Sequence, residues 1–245
     1  MTAARLDVAV VALGLAPSRH RAQDMIRRGL VSVDGRLVTR PARPVGPAEK
    51  VSVAADPWVS RASHKLLGAL DDTGLLVPPR CLDVGASTGG FTQVLLSAGA
   101  QRVYAVDVGH GQMAPPIAAD PRVVVIEGMN AKELRLSDVG DEPVGLLVAD
   151  LSFISLTAVL PALLPLVAPS GDVLLLVKPQ FEVGRADIGS GVVRDGALRD
   201  AAVDAVAGAA AALGWREQWR GPSRLPGASG NIEFFLRLTF VGAAS

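Results

Sequence analysis

The rhythm of apolar residues along the chain changes near residue 57. Before that point Leu6, Val10 and Leu13 recur at helical spacing, and Gly14 closes the pattern. Ser18 stands where it can cap a second short helix, whose apolar side is Ala22, Met25 and Ile26 and which Gly29 ends. The stretch LVSVDGRLV then alternates about Asp34-Gly35, a two-residue hairpin signal, and a third short strand is predicted within Glu49 to Ala54. Two small helices and a little sheet bury few residues, so this unit is expected to lean on a partner for stability. Prolines at 41, 44, 47 and 57 fall within and after it, which places the boundary near Asp56-Pro57.

Beyond the boundary the pattern becomes an alternation of strands and helices. A helix is predicted from Ser63 to about Asp72. Strands follow at Arg80 to Val84, Arg102 to Val106, Arg122 to Ile126, Val144 to Ala149 and Asp172 to Val177. Helices are expected at Thr88 to Ala98, Leu156 to Val167 and Asp195 to Leu213, the last rich in alanine. Ile232 to Phe240 reads as an antiparallel closing strand, with a weaker one near Trp215 to Trp219. Strands with helices on both sides make a doubly wound α/β sheet, which binds ligands beyond the carboxyl ends of its strands.

Composition narrows the class. The 245-residue chain is 49% hydrophobic but only 4% aromatic, so its core must be built from aliphatic side chains. Net charge is zero, yet residues 1–50 hold nine Lys/Arg against four Asp/Glu, and the remainder fifteen against twenty. Positive charge is therefore concentrated at one end, where its local field attracts phosphate. The lone cysteine, Cys81, excludes an intrachain disulfide framework and a cysteine-based zinc site. His20, His64 and His110 lack metal-ligand spacing, so no metal is assigned. The N-terminus lacks the layout of a signal peptide. The most apolar segment, Leu156 to Pro169, has fourteen residues and three prolines, too short and interrupted to span a bilayer. A cytoplasmic protein without stable membrane association is the expectation.

The sharpest local feature is DVGASTGG, Asp83 to Gly90, leaving an apolar strand and entering a helix. Gly85 permits a tight turn and close ligand approach, Gly89 and Gly90 keep the loop small, and the helix start offers free N–H groups. No GKS or GKT follows, and Ser87 stands where GxGxxG needs its second glycine, so neither a phosphate loop nor a dinucleotide fingerprint fits. An acidic residue at the strand end repels pyrophosphate but suits a ligand carrying an ammonium and a sulfonium. Asp107 ends the next strand, twenty-two residues after Gly85, where a carboxylate can accept both hydroxyls of a ribose. This order of strand, loop, helix, strand and Asp is the one expected for S-adenosylmethionine. A nicotinamide site and a purely structural turn are the alternatives.

Asp150 follows the fourth strand and Lys178 the fifth, so both belong to the ligand-binding edge. A single charge there is commonly a solvated strand end; two in one crevice beside the loop point to chemistry. Lys65 and Glu233 read by themselves as surface charges. Methyl transfer needs a nucleophile aligned behind the methyl carbon, so positioning supplies much of the rate. If a ribose 2′-hydroxyl is the acceptor, its proton has to leave as the bond forms, and a lysine can take it or stabilise the developing charge. Cys81 lies inside a strand as a buried small hydrophobe, which removes the cysteine-dependent methylation of pyrimidine carbon 5. The Asn/Asp-Pro-Pro-Tyr motif of amino-group methylation is absent, and DLSF occupies its place. Phe153 of that motif either stacks on a base or packs under its loop. Trp58, Trp215 and Trp219 read as structural, and the long glycine-rich loop from Lys178 to Arg194 as one that closes over substrate.

Over nearly its full length the chain resembles the TlyA family of haemolysin-like bacterial ribosomal RNA 2′-O-methyltransferases. RLDVAVVALGLAPSRHRAQDMIRRGLVSVDGRLV looks like an S4 RNA-binding domain. CLDVGASTGGFT, YAVDVGHGQ, DLSFISL, LVKPQFEVGR, GVVRD and GNIEFFL look like the FtsJ/RrmJ-type methyltransferase. The resemblance implies a Rossmann-like class I S-adenosylmethionine-dependent methyltransferase of α/β class with a small α+β S4 domain before it. The S4-like domain would span 1–56, a linker 57–62 and the methyltransferase domain 63–245. It implies a catalytic set of Lys65, Asp150, Lys178 and Glu233. Cofactor contacts would come from Asp83, Gly85, Ser87, Thr88, Gly89, Gly90, Asp107 and Asn130. The RNA partner would be ribosomal RNA, 16S and/or 23S, within ribosomal subunits. Candidate phosphate contacts are Arg5, Arg19, Arg27, Arg28, Arg36, Arg40 and Arg43. The chain departs from the family pattern at Ala62-Ser63, His110, Pro115-Pro116 and Gly128-Met129, and the Pro pair should confine or break a helix there. Two other readings are an RNA-binding protein with a degraded catalytic domain and a membrane-active haemolysin; intact Lys-Asp-Lys-Glu residues oppose the first, and the lack of a spanning segment opposes the second.

Overall fold

A computed structural model describes residues 3–183, 191–227 and 230–242. Contacts divide the chain into two units, Met1–Pro57 and Trp58–Ser245. The first holds β1 (Ala4–Arg5), α1 (Leu6–Ala12), α2 (Arg19–Arg27), β2 (Val31–Val33), β3 (Arg36–Leu37), β4 (Pro44–Val45) and β5 (Val51–Val53). Ser18 caps α2 by accepting from the Arg21 N–H at 3.2 Å. Asp34 and Gly35 both adopt left-handed φ (+49° and +75°), the geometry of a two-residue turn whose twist matches the paired strands β2 and β3. β2 is the centre of a three-stranded antiparallel sheet, and Leu6, Val10, Ala22, Ile26 and Val31 pack into a small closed core. The pairing of β1 with β4 has no signature in the residue pattern.

The second unit runs α3 (Ala62–Thr73), β6 (Arg80–Val84), α4 (Gly90–Ser97), β7 (Arg102–Val106), α5 (Pro115–Ala118), β8 (Val123–Ile126), β9 (Val144–Ala149), α6 (Leu160–Leu163), β10 (Val167–Val177), α7 (Pro179–Glu182), α8 (Gly196–Ala212), β11 (Trp215–Pro222) and β12 (Phe234–Phe240). Its seven strands lie in the order β11-β12-β10-β9-β6-β7-β8; β12 is antiparallel to both its neighbours, β11 and β10, and β10, β9, β6, β7 and β8 are mutually parallel. Strand periodicity sends alternate side chains to opposite faces. Leu82, Val84, Leu147, Ala149, Val173, Leu175 and Val177 join one core cluster, while Cys81, Leu146, Val148, Leu174 and Leu176 join the other. Helices cover both faces, which is why these strands read as nearly continuous apolar runs. Trp58 packs on the second cluster, and the Val59 N–H bonds Gln93 at 2.8 Å, so residues expected as linker are tied to this unit. No helix of the described residues is long and apolar enough to cross a membrane.

Several elements depart from the pattern-based expectation. Leu156 to Val167 is not one helix. It breaks into a 3₁₀ turn at Leu156–Ala158, the short α6 and a second 3₁₀ turn at Leu164–Leu166, while Val167 already belongs to β10. Pro161 and Pro165 lack the N–H that a continuous helix requires, and each opens a new short element instead. Pro115 and Pro116 likewise sit at the start of α5 and confine it to four residues. Thr88 and Gly89 stay in the loop before α4, and Ile232 and Glu233 stay outside β12. β11 extends to eight residues because β12 pairs with it along its whole length. The expected closing loop after Lys178 is described only to Val183 and again from Gly191; residues 184–190 lie outside the described residues.

Candidate active site

Parallel strands deliver the residues that follow them to one edge of a sheet, and an antiparallel neighbour delivers those that precede it. Val84, Val106 and Ala149, the last residues of β6, β7 and β9, stand in register, and β10 runs two pairings further to Val177, opposite Phe234 of β12. Asp107, Asp150, Lys178 and Glu233 consequently reach the same edge from four strands. The order of strands reverses between β6 and β9, so a crevice opens there.

Two ion pairs occupy it. Lys178 Nζ lies 2.6 Å from Asp150 Oδ1 and donates to Ser152 Oγ at 2.8 Å. Lys65, carried by α3, lies with its Nζ 2.5 Å from Glu233 Oε2. None of the four side chains is more than 15% exposed, so each pair is short and largely withdrawn from water rather than a solvated surface contact. α3 is held in place by the Ser63 hydroxyl, which donates to the Gly90 carbonyl at 3.0 Å. A cavity of about 250 Å³ spans Gly85, Ser87, Thr88, Gly90, Asp150 and Lys178. A second of about 480 Å³ is lined by Lys65, Phe153, Gln180, Phe181, Asn231 and Glu233. They share Arg61, Ala62, Ser152 and Lys178 and form one crevice. An apolar groove of about 340 Å³ at the other end of the sheet, lined by Pro161, Trp215 and Phe240 among others, holds no titratable side chain.

The glycine loop is shaped by close approach. Gly85 has φ +86°, and a Cβ there would lie 2.5 Å from the Asp150 carbonyl oxygen, so a side chain is excluded on two grounds. Asp107 uses both oxygens on backbone: Oδ2 accepts from the Ser87 N–H and Oδ1 from the Gly109 N–H, each at 2.8 Å. Thr88 is exposed beside the cavity, and Asn130 sits after β8 with Oδ1 accepting from the Lys132 N–H. The departures at His110 and Gly128 meet in space. Gly128 has φ +69°, and a Cβ on it would lie 2.6 Å from the His110 ring.

Asp83 is placed differently from a surface contact. Strand alternation turns it toward α4, where it is fully buried and Oδ2 accepts from the Thr92 hydroxyl at 2.7 Å. Oδ1 has no hydrogen-bond partner. Burial pushes its carboxyl up to about 7, an effect the Thr92 bond opposes and the nearby Asp150 and Asp107 reinforce. A ligand in the crevice would feel its charge but not touch its oxygens. Cys81 is buried as expected, and burial raises its thiol to about 12. Phe153 does not pack under its loop: it is 91% exposed, holds a left-handed φ of +65°, and leans on Phe181 with ring centroids 5.3 Å apart. A bulky residue in that conformation is strained, and such strain gathers at functional sites. Ser152 and Glu182 were not singled out by pattern, because a serine in a loop and a glutamate ending a one-turn helix carry no periodic signal.

In the first unit the expected arginines divide into two groups. Arg28 is not available for phosphate: its side chain is 1% exposed and engages Asp24 and Asp56. Arg5 and Arg19 both bond the fully buried Asp7, whose carboxyl is held well below the usual carboxylate range by Arg5, Gln23 and Arg19. Arg43 pairs with Glu49 at 2.8 Å. Arg27, Arg36 and Arg40 are exposed, and none of the described ion pairs involves them. Sequence counts charges, but only folding shows which carboxylate each arginine meets.

Comparison with known proteins agrees with both halves. An FtsJ-like methyltransferase family model matches residues 58–240 and an S4 domain model residues 4–51. The chain is 50% identical over 240 residues to the 16S/23S rRNA (cytidine-2′-O)-methyltransferase TlyA of Mycobacterium tuberculosis, covering 96% of this chain and 89% of that one. It is 40% identical over 233 residues to Hemolysin A of Brachyspira hyodysenteriae, covering 94% and 97%. Among solved structures, a hemolysin-type protein of Streptococcus thermophilus superposes with TM-score 0.75 at 35% identity, covering 99% of this chain and 90% of that one. A Bacillus cereus O-methyltransferase in complex with SAH, 17% identical with TM-score 0.52 over 74% of this chain and 82% of its own, shares the fold.

Proposed function

The chain belongs to the TlyA family of FtsJ-like methyltransferases, and on that premise we propose that it transfers a methyl group from S-adenosylmethionine to the 2′-hydroxyl of cytidine ribose in ribosomal RNA. The observation that carries this reading is the meeting of Lys178–Asp150 and Lys65–Glu233 at the strand edge that also bears the Gly85 loop.

The residues present fit the cofactor. The space kept open by Gly85 beside the Asp150 carbonyl admits a ligand where a Cβ would intrude. Gly85, Ser87, Thr88, Gly89 and Gly90 would hold its methionine part, with Asp107 and Asn130 toward the ribose and base. Buried Asp83 adds negative potential below the loop, which suits a cation and disfavours a pyrophosphate. When bound, S-adenosylmethionine supplies an electrophilic methyl carbon on a sulfonium.

The protein's own task is to align a ribose oxygen and remove its proton. Lys178 Nζ, held by Asp150 and Ser152, is the group that hydrogen-bonds the attacking oxygen; once its ammonium has released a proton to solvent, the free amine receives the hydroxyl proton. Lys65, anchored by Glu233, flanks the same cavity and orients the ribose from the α3 side. Phe153 offers an exposed ring on which the target base can stack. Arg27, Arg36 and Arg40 of the basic unit supply phosphate contacts that hold the RNA without reading its sequence. The ribosomal substrate places this work in the cytoplasm.

The test is transfer of labelled methyl from S-adenosylmethionine to unmodified small and large ribosomal subunits, followed by mapping of the label. Label on a cytidine 2′-oxygen, abolished by Lys178→Ala, is the expected result. No transfer to either subunit or its free RNA, by protein that still binds them, would overturn the reading in favour of an inactive RNA-binding protein.

A further inference from the structure

One charged side chain close to the crevice has no part in the chemistry above. Glu182 ends α7, four residues after Lys178, and does not line either cavity. Its Oε2 accepts from the Ser155 hydroxyl at 2.5 Å and its Oε1 from the Leu156 N–H at 2.8 Å. Ser155 in turn caps the 3₁₀ turn at Leu156–Ala158 through the Thr157 N–H and shares a 2.7 Å hydrogen bond with the Thr157 hydroxyl. Both partners of Glu182 therefore lie on the segment that leaves β9 and carries Asp150.

Among the described residues, the segments leaving the parallel neighbours β9 and β10 are joined at four places: Asp150 to Lys178, Ser152 to Lys178, Phe153 to Phe181, and Ser155 with Leu156 to Glu182. The first three involve groups that a substrate competes for. Lys178 has to give up part of its bonding to meet a ribose oxygen, and Phe153 turns its ring to a base. Among the described residues, only the Glu182 contacts of these four stand clear of the cavities, so a substrate does not compete for them. We infer that Glu182 is a positioning residue, a clamp that keeps Asp150 and Lys178 in reach of each other while Ser152 and Phe153 are given over to RNA.

A carboxylate suits this task because two oxygens accept from two donors at once, in charge-assisted bonds. Its charge is retained at a cost, since burial pushes the Glu182 carboxyl above its ordinary value despite the bonds from Leu156 and Ser155. A glutamine of the same length would keep both contacts, its amide donating to Ser155 Oγ, whose proton then turns to Thr157. Alanine would strand the Leu156 N–H and the Ser155 hydroxyl and free the two segments to drift. The inference rests on the assignment of Lys178 and Asp150 as the reacting pair.

The experiment compares full-length wild type with Glu182→Gln, Glu182→Ala, Ser155→Ala, the Glu182→Ala/Ser155→Ala double variant and Lys178→Ala. Single-turnover transfer to unmodified ribosomal subunits is measured beside S-adenosylmethionine affinity by calorimetry and the melting temperature. A misplacement on the order of 1 Å costs about 10- to 100-fold in rate, and that loss is expected for Glu182→Ala with cofactor affinity within about twofold of wild type. Glu182→Gln should recover to within about threefold, and the double variant should be no slower than Glu182→Ala, since both changes cut one link. A wild-type rate in Glu182→Ala overturns the inference, as does a loss of rate matched by equal loss of cofactor affinity and melting temperature. Should Glu182→Ala fail to fold, Ser155→Ala takes its place, with a smaller rate loss expected and an unchanged rate counting against the clamp. Full transfer by Lys178→Ala would remove the reacting pair itself; a dead Lys178→Ala beside a fully active Glu182→Ala removes only the clamp.

Discussion

Asp83→Asn should make the catalytic unit more stable above neutral pH and leave it nearly unchanged in mild acid. The side chain is fully buried, one oxygen is satisfied by Thr92, and the other has no partner. Its carboxyl ionises at about 7 in the folded protein, whereas an ordinary aspartate does so near 3.8. Between those values the folded state holds a proton that the unfolded state has released, so stability falls as pH rises. The contribution is complete below the ordinary value and is lost as pH climbs through about 7. With one pH unit equal to about 1.4 kcal/mol, the loss between pH 5 and pH 8 amounts to about 2.5 kcal/mol. Asparagine is nearly isosteric, keeps an acceptor for Thr92 and carries no charge, so its stability should lack this component. Trp58, Trp215 and Trp219 all lie in the second unit, and tryptophan fluorescence during urea unfolding therefore reports on it. The quantity to measure is the stability difference between variant and wild type, which should grow by about 2.5 kcal/mol in favour of the variant from pH 5 to pH 8. A difference that stays constant across that range, or that grows in favour of the wild type, would refute the reasoning. The physical sense of the arrangement is that a cationic ligand above the loop offsets the cost of a buried carboxylate, so added S-adenosylmethionine should narrow the gap at pH 8.

Three further outcomes follow from the structure. Gly85→Ala meets both the +86° φ and the Asp150 carbonyl; with about 2 kcal/mol of strain, calorimetry should show S-adenosylmethionine affinity reduced at least about tenfold. In the basic unit, Arg28→Ala leaves Asp24 and Asp56 short of a buried partner and should cost roughly 3 kcal/mol of stability, seen by thermal melting. Arg36→Ala and Arg40→Ala should instead leave melting unchanged and each lower the salt dependence of RNA binding by about one unit of slope; equal effects of all three on stability would contradict the division.

Much of the fold is local in origin and could be read in advance. Helix spacing and the Ser18 cap placed α1 and α2, Asp34-Gly35 placed the hairpin, and apolar runs placed β6, β7 and β9 to the residue. These succeed because capping, turn geometry and strand alternation are decided within a few residues. The stretch after Ser155 misled because its apolar content suits a helix, while the prolines divide it and β9 recruits Val167 into pairing. The strand termini carrying Asp107, Asp150 and Lys178 were legible too, since a doubly wound sheet brings all such termini to one edge.

Tertiary structure decided the partnerships. Lys65 and Glu233 stand 168 positions apart and become a pair only because β12 runs antiparallel beside β10 and α3 packs over α4. Whether Arg28 meets RNA or two carboxylates, whether Asp83 faces ligand or Thr92, and whether Glu182 is solvated or bound to Ser155 are likewise matters of which groups the fold brings within bonding distance. The order of residue types along the chain set out the strands, the glycine loop and the kind of chemistry, because those depend on neighbours in sequence. Charge, proton affinity and exposure depend on neighbours in space, and these the packed sheet alone assigned.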